Sequence, residues 1–244
     1  MTSRSGLAHR VVALIDLTDL ADDRRVDGID GLVERAARHG CPAVCVWPDH
    51  VARCAELVAR HGSAAPLVAT VVNFPSGEAP LEAVVAETER ATADGADEID
   101  LVLPRGALGA GDEGPARAVV SSVAAIVHRA GRHLKVILET GELADAEAVR
   151  RAARVAVEEG ADFVKTSTGK TATGATVGAV EAMIDVIEGA GRTVGLKPSG
   201  GIRTLDDAAA LLDVVDRRLG PSWASAETFR FGASGLLDAA LAEL

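Results

Sequence analysis

A chain of 244 residues, 48% hydrophobic and 25% charged, can bury a sizeable core and is not disordered. Its 36 acidic and 25 basic side chains give a formal net charge of −11, so counterion release cannot drive it onto DNA or RNA, and nucleic-acid binding is excluded as its main role. No apolar run approaches the roughly 20 residues of a membrane span. The first residues, Met1-Thr2-Ser3-Arg4-Ser5-Gly6, lead into His9-Arg10 without a signal-peptide core, so a cytoplasmic protein is expected.

In chain order, short β-branched runs alternate with alanine-rich segments of helical period. Strands are predicted over 11–17, 43–47, 67–74, 98–103, 133–140, 163–168, 193–197 and 229–232. A helix is predicted after each, over 32–39, 50–60, 81–94, 115–129, 144–159, 177–188, 205–218 and 236–244. The fifth helix is the clearest. Val149, Ala152, Ala153, Ala156 and Val157 form an apolar stripe with Arg150, Arg151 and Arg154 beside it, and Gly160 stops it.

Strict alternation of strand and helix implies a parallel sheet. Eight units in this length fit an α/β fold of one domain over 1–244, a (β/α)8 TIM barrel, whose usual size is about 250 residues. A doubly wound open sheet is the competing architecture. Its central strands are covered on both faces and read as continuous apolar runs. Several strands here carry a charge instead: Asp16, Asp100, Lys135, Lys165 and Lys197. A barrel interior, polar at its mouth, accommodates them.

Two other patterns carry little. Cys41, Cys45 and Cys54 are too few for a disulfide framework, and neither they nor the six scattered histidines have metal-ligand spacing. No metal is expected, and Cys41 and Cys54 read as small core residues. The run Gly109-Ala-Gly111-Asp-Glu-Gly114 matches G-x-G-x-x-G, but Pro104 to Leu108 separate it from the strand that the dinucleotide motif must follow directly. It reads as a glycine-rich loop.

Alternation along each strand decides where the charges point. Ile15 and Leu17 face the helices and leave Asp16 inward. Ile99, Leu101 and Leu103 do the same for Asp100, Val136 and Leu138 for Lys135, and Val194 and Leu196 for Lys197. Lys165 shares its face with Phe163 and Ser167. Three lysines and two aspartates therefore occupy the interior. Buried charge is costly unless paired, so one lysine is left over and is cheapest as a neutral amine. A neutral lysine attacks carbonyls and forms Schiff bases. Lys165 and Lys197 lie near the C-terminal ends of consecutive strands, where barrel active sites lie and where strands are about 4.8 Å apart. A neighbouring cation and desolvation both favour the neutral amine.

Asp162-Phe-Val-Lys165-Thr-Ser-Thr-Gly-Lys170 resembles the Schiff-base signature of the deoxyribose-phosphate aldolase family. Gly195-Leu-Lys197-Pro-Ser-Gly-Gly-Ile-Arg203-Thr is similar to its second lysine motif. Ile15-Asp16-Leu-Thr18, Glu98-Ile-Asp100, Lys135-Val-Ile-Leu-Glu-Thr-Gly-Glu-Leu143 and Phe231-Gly-Ala-Ser234 match its other blocks in order. The resemblance covers nearly the whole chain. It implies a class I aldolase that reversibly cleaves 2-deoxy-D-ribose 5-phosphate to acetaldehyde and D-glyceraldehyde 3-phosphate. Lys165 would form the Schiff base, and Lys197 would be the neighbouring cation that keeps it nucleophilic. Asp100, with water, would move protons, and Asp16 and Lys135 would complete the polar network. Cys45 falls where the family carries a non-essential active-site cysteine. The implied partners are a small phosphosugar and acetaldehyde, with no cofactor, and a homodimer is compatible with it. Two alternatives stand beside this reading: another phosphosugar Schiff-base aldolase, and a phosphosugar-binding barrel without catalysis.

A phosphate site follows from local physics. Gly200-Gly201 follow the seventh strand, and Ser234-Gly235 follow the eighth and open the last helix. Barrels commonly bind phosphate in these two loops, on free backbone N–H groups and a helix dipole. Lys170 adds a charge. The sequence departs from better-known members at two points: Gly235 stands where a second serine is frequent, and the chain has no Tyr for a mobile C-terminal tail. The proton transfer at the enamine carbon is then expected to rely on Asp100, Lys197 and water.

Overall fold

A computed structural model describes residues 3–24, 28–109 and 111–244. The strands are β1 (Ile15–Asp19), β2 (Ala43–Val46), β3 (Leu67–Val72), β4 (Glu98–Val102), β5 (His133–Ile137), β6 (Phe163–Lys165), β7 (Gly195–Lys197) and β8 (Phe231–Ala233). All seven ladders are parallel, in the order β7-β6-β5-β4-β3-β2-β1-β8. Bridges Leu196↔Phe229 and Ser199↔Gly232 join the two ends of this order and close the barrel. Eight parallel strands with alternating helices form the expected (β/α)8 barrel rather than an open sheet.

The helices are α1 (Arg4–Val12), α2 (Ile29–His39), α3 (Val51–Val58), α4 (Leu81–Ala93), α5 (Arg105–Gly109), α6 (Gly114–Arg129), α7 (Ala146–Glu158), α8 (Val177–Glu188), α9 (Leu205–Leu219) and α10 (Leu236–Leu241). Short polar side chains start several of them. The Asp145 carboxylate accepts from the Ala148 N–H at 2.8 Å, and Thr204 and Asp207 form a reciprocal capping box on α9. Left-handed Gly40 ends α2. The main core lies between the strands and the helices, where outward strand residues such as Leu101, Val136 and Leu196 meet the apolar stripes of the helices.

Two helices depart from the sequence reading. Val11 and Val12 belong to α1, not to the first strand, which starts at Ile15. The Ser3 hydroxyl caps α1 by accepting from the Gly6 N–H at 3.1 Å, and Ala8, Val11 and Val12 form its buried side. The β-branched pair therefore serves a helix face, because tertiary burial outweighs strand propensity. Between β4 and the glycine-rich run lies α5. Its first four residues separate Gly109 from the strand end, but Gly109 itself ends α5 and Gly114 begins α6, so the run read as a loop is non-helical only over 111–113, with Ala110 outside the described residues.

Most strands stop after three to six residues, earlier than the sequence runs suggest. The segments 166–168 and 138–140 continue as loops that leave the barrel rim. This places Lys165 and Lys197 as the last residues of their strands, in direct register with each other.

Candidate active site

Every inward charge named from the sequence is buried, and all five side chains meet in one network. Lys165 Nζ donates to Asp100 Oδ2 at 2.7 Å, and Lys197 Nζ donates to the same oxygen at 2.8 Å. Lys197 also pairs with Asp16 Oδ2 at 2.5 Å. Lys135 Nζ lies 3.2 Å from Asp100 Oδ1 and 3.9 Å from Asp16 Oδ2.

Two members of the network escaped the sequence reading. Glu98 accepts from Lys135, and Arg230 reaches Asp16 Oδ1 at 2.6 Å and Glu98 Oε1 at 3.2 Å. Both obey the alternation rule. Glu98 has the parity of Asp100, and Arg230 stands between two core phenylalanines, Phe229 and Phe231. The ion-paired network thus joins four buried cations, Lys135, Lys165, Lys197 and Arg230, to three buried carboxylates, Asp16, Glu98 and Asp100, while a fourth buried carboxylate, Glu139, lies outside it on threonine hydroxyls. The surplus of one cation inferred from the sequence survives, with a different membership.

The network fixes most protonation states. Burial alone would raise the Asp100 carboxyl, but Lys135, Lys165 and Lys197 override it and hold Asp100 well below the usual carboxylate range. Asp16 is likewise lowered against its burial, by Lys197, Arg230 and Lys135. Burial would make the Lys197 ammonium more acidic, yet Asp100 and Asp16 outweigh it and raise its pKa. Lys197 is therefore a fixed cation. Burial pushes the Cys45 thiol up, so it stands in the network as a neutral group.

Lys165 differs from the other cations in two ways. Its one ionic contact is Asp100 Oδ2, which it shares with Lys197. It is also the interior lysine that lines the open cavity of about 620 Å³ at the C-terminal ends of the strands.

The same cavity is lined by Thr18 and Asp19 at the end of β1 and Leu20 after it, and by Gly200, Gly201, Ser234, Gly235 and Lys170. All five residues expected to hold a phosphate thus face the space that Lys165 opens into. Lys170 Nζ, at the rim, pairs with exposed Asp22 at 2.5 Å. The loops after β6 and β7 are stitched together. Thr166 and Ser167 hydroxyls donate to the Ser199 carbonyl at 3.0 and 2.5 Å, and the Ala175 N–H donates to the Gly200 carbonyl at 3.0 Å. Gly200 has φ +81°, and Gly174 packs so closely on its carbonyl that a side chain at 174 would collide with it.

A buried glutamate supports this rim. Glu139, left-handed at φ +53° directly after β5, accepts from the Thr168 hydroxyl at 2.5 Å and the Thr171 hydroxyl at 3.1 Å. Among the described residues no three His, Cys, Asp or Glu side chains gather as a metal site, and no helix is long and apolar enough to cross a membrane.

Comparison with known proteins agrees with this geometry. A deoxyribose-phosphate aldolase of Agrobacterium fabrum is 46% identical over 235 residues, which is 95% of this chain and 89% of that protein. The structure of a tetrameric deoxyribose phosphate aldolase from Aeropyrum pernix superposes with a TM-score of 0.78 at 27% identity, covering 99% of this chain and 90% of that one. An apo structure from Toxoplasma gondii, provisionally named a deoxyribose-phosphate aldolase, gives 0.89 at 29% identity, with 98% and 96% covered. Residues 10–239 match the DeoC/LacD family aldolase profile, and the chain belongs to that family.

Proposed function

We propose that this chain is a class I aldolase that reversibly cleaves 2-deoxy-D-ribose 5-phosphate to acetaldehyde and D-glyceraldehyde 3-phosphate, with Lys165 as the Schiff-base residue. One observation carries the assignment: Lys165 is the least compensated cation of the buried network and opens into the rim cavity.

In the cleavage direction the neutral Lys165 amine adds to the substrate aldehyde carbon. The carbinolamine loses water, and the resulting iminium is the electron sink. Removal of the proton from the C3 hydroxyl then breaks the C2–C3 bond, so that the electron pair passes into an enamine and D-glyceraldehyde 3-phosphate leaves. Protonation of the enamine carbon and hydrolysis of the iminium release acetaldehyde and return the amine. Asp100 touches both Lys165 and Lys197 through one oxygen, which suits it, with water, to carry the protons. Lys197 supplies the adjacent fixed positive charge. Asp16 and Lys135 hold the geometry of these three. Because the imine provides the electron sink, the mechanism calls on no cofactor.

The phosphate would sit on the N–H groups of Gly200, Gly201, Ser234 and Gly235, with Lys170 adding charge from the rim. Gly235 lacks the hydroxyl of a second serine but keeps its N–H donor. The expected setting is the cytoplasm. The Aeropyrum pernix relative is a tetramer, and a homodimer is the smaller assembly we expect for this chain.

The direct test is to add 2-deoxy-D-ribose 5-phosphate and measure D-glyceraldehyde 3-phosphate. Its appearance supports the proposal. Cleavage of a different phosphosugar in its place would favour another Schiff-base aldolase, and no turnover of any phosphosugar would favour a binding barrel.

A further inference from the structure

Arg230 lies immediately before β8, between Phe229 and Phe231, whose rings meet edge to face at 4.8 Å. The phenylalanines belong to the outer core, so the arginine points into the barrel. Its guanidinium bridges carboxylates of two different strands, Asp16 of β1 and Glu98 of β4. It is buried, and it does not line the cavity that Lys165 opens into. Instead, Arg230 and Glu98 border a second cavity of about 420 Å³, which also exposes His133 and Leu67, the first residues of β5 and β3, at the opposite end of the barrel.

We propose that Arg230 is a positioning residue for the aldol reaction: it makes the ion-paired network inside the barrel one cation over, and thereby holds Lys165 as a nucleophilic amine without touching the substrate. This inference rests on the reading of Lys165 as the nucleophile. Without Arg230, three lysines would face three carboxylates, and every charge would find a partner. With it, four cations face three. A guanidinium does not give up its proton. Lys197 has two carboxylate partners and Lys135 has three, so the surplus falls on Lys165.

Arg230 also directs the carboxylates. By taking Asp16 Oδ1 it leaves Oδ2 to Lys197, and by taking Glu98 Oε1 it leaves Oε2 to Lys135. One further buried carboxylate, Glu139 directly after β5, makes no ion pair among the described residues, because its oxygens take the Thr168 N–H and the Thr168 and Thr171 hydroxyls. From β2 comes Cys45, a thiol kept neutral by burial, and from β3 the apolar Ala69 and Val71. Glu227 and His133 border the lower cavity but are exposed, and Asp162 there is already bound to His128 and to the Leu134 N–H. Solvent screens these three.

The test is the pH–rate profile of cleavage in wild type, R230Q, R230M and R230K, from about pH 5 to 10, with folding checked by circular dichroism. Both neutral variants should lose about tenfold in activity at neutral pH. The rise of activity with pH should move upward by about one unit, so that much of the loss is recovered in alkali. R230K keeps the charge and should keep the wild-type position of that rise. A neutral variant that loses the same factor at every pH, or an R230K profile displaced like that of R230Q, overturns the proposal. Should neither neutral variant fold, the R230K profile decides. Borohydride trapping on wild type separates the two readings. No adduct at Lys165 overturns the nucleophile assignment itself, whereas an unmoved profile in an enzyme that traps at Lys165 overturns the role of Arg230 alone.

Discussion

Lys165 and Lys197 end adjacent parallel strands in direct register, and their amines share one oxygen of Asp100 at 2.7 and 2.8 Å. Two amines on one carboxylate oxygen cannot both be fully compensated. Asp16 gives Lys197 a second partner at 2.5 Å, and Lys165 has none among the described residues. The asymmetry between chemically identical side chains thus comes from what lies behind each.

Replacement of Lys197 by leucine removes the fixed cation and leaves Asp100 Oδ2 to Lys165 alone. A Lys165 ammonium is then better compensated, and activity at neutral pH should fall by about 10²-fold or more. The activity that remains should rise with pH at more alkaline values than in wild type. A pH–rate profile of K197L measures both. A uniform loss with an unmoved profile would point to direct proton transfer by Lys197 as its main contribution.

Asp100→Asn removes the carboxylate on which all three lysines converge. We expect kcat for cleavage to fall about 10²–10⁴-fold, the range for loss of a general acid or base. The variant also leaves buried cations short of a partner, which costs about 3–5 kcal/mol. Thermal stability must be measured beside kcat, at a temperature where D100N is folded. A loss of less than about tenfold in the folded variant would remove Asp100 from the proton-transfer steps.

The same network makes a prediction about acid. The Asp16 and Asp100 carboxyls are both lowered in the folded chain. A depressed carboxyl contributes stability that is complete above its unfolded pKa and is lost as pH falls through its folded value. The melting temperature should therefore decline below about pH 4. D16N should start from a lower melting temperature and decline less steeply. An equal acid slope in wild type and D16N would mean that other carboxylates govern acid stability.

Gly200→Ala tests the phosphate loop. An added Cβ would stand 2.8 Å from Ser167 Oγ and 3.1 Å from Gly174 Cα, at a backbone φ of +81° that side chains rarely adopt. The loop must shift, and with it the N–H groups that would hold the phosphate. KM for 2-deoxy-D-ribose 5-phosphate should rise about tenfold, a loss of about 1.4 kcal/mol in binding. Cleavage of unphosphorylated 2-deoxyribose should be little changed. An equal loss on both substrates would place the damage at the chemistry instead.

Much of this site was legible because parallel strands alternate strictly. Outward Ile15, Leu101, Val136 and Leu196 each identified an inward charge beside them. Glu98 has the same parity as Asp100, but at the first residue of its strand it has an apolar outward neighbour on one side only. Arg230 falls within the predicted strand 229–232, a run of four residues on which alternation has little to act, and in the structure it lies just before β8. Its signal was the pair of flanking phenylalanines. The first helix was hidden for a different reason: Val11-Val12 suits a strand locally, and only packing beneath the barrel's helical layer assigns it to α1. Which lysine is least compensated was not readable at all. It depends on contacts between β1, β4, β7 and the residue before β8, which are far apart in sequence.

The most direct measurement is covalent. Incubation with acetaldehyde and borohydride reduces any imine to a stable secondary amine, and peptide mapping locates it. The account predicts a two-carbon adduct on Lys165, absent from K165R, with Lys135 and Lys197 unmodified. An adduct on Lys197 or Lys135 of the wild-type protein, or none on any lysine while cleavage proceeds, would contradict it.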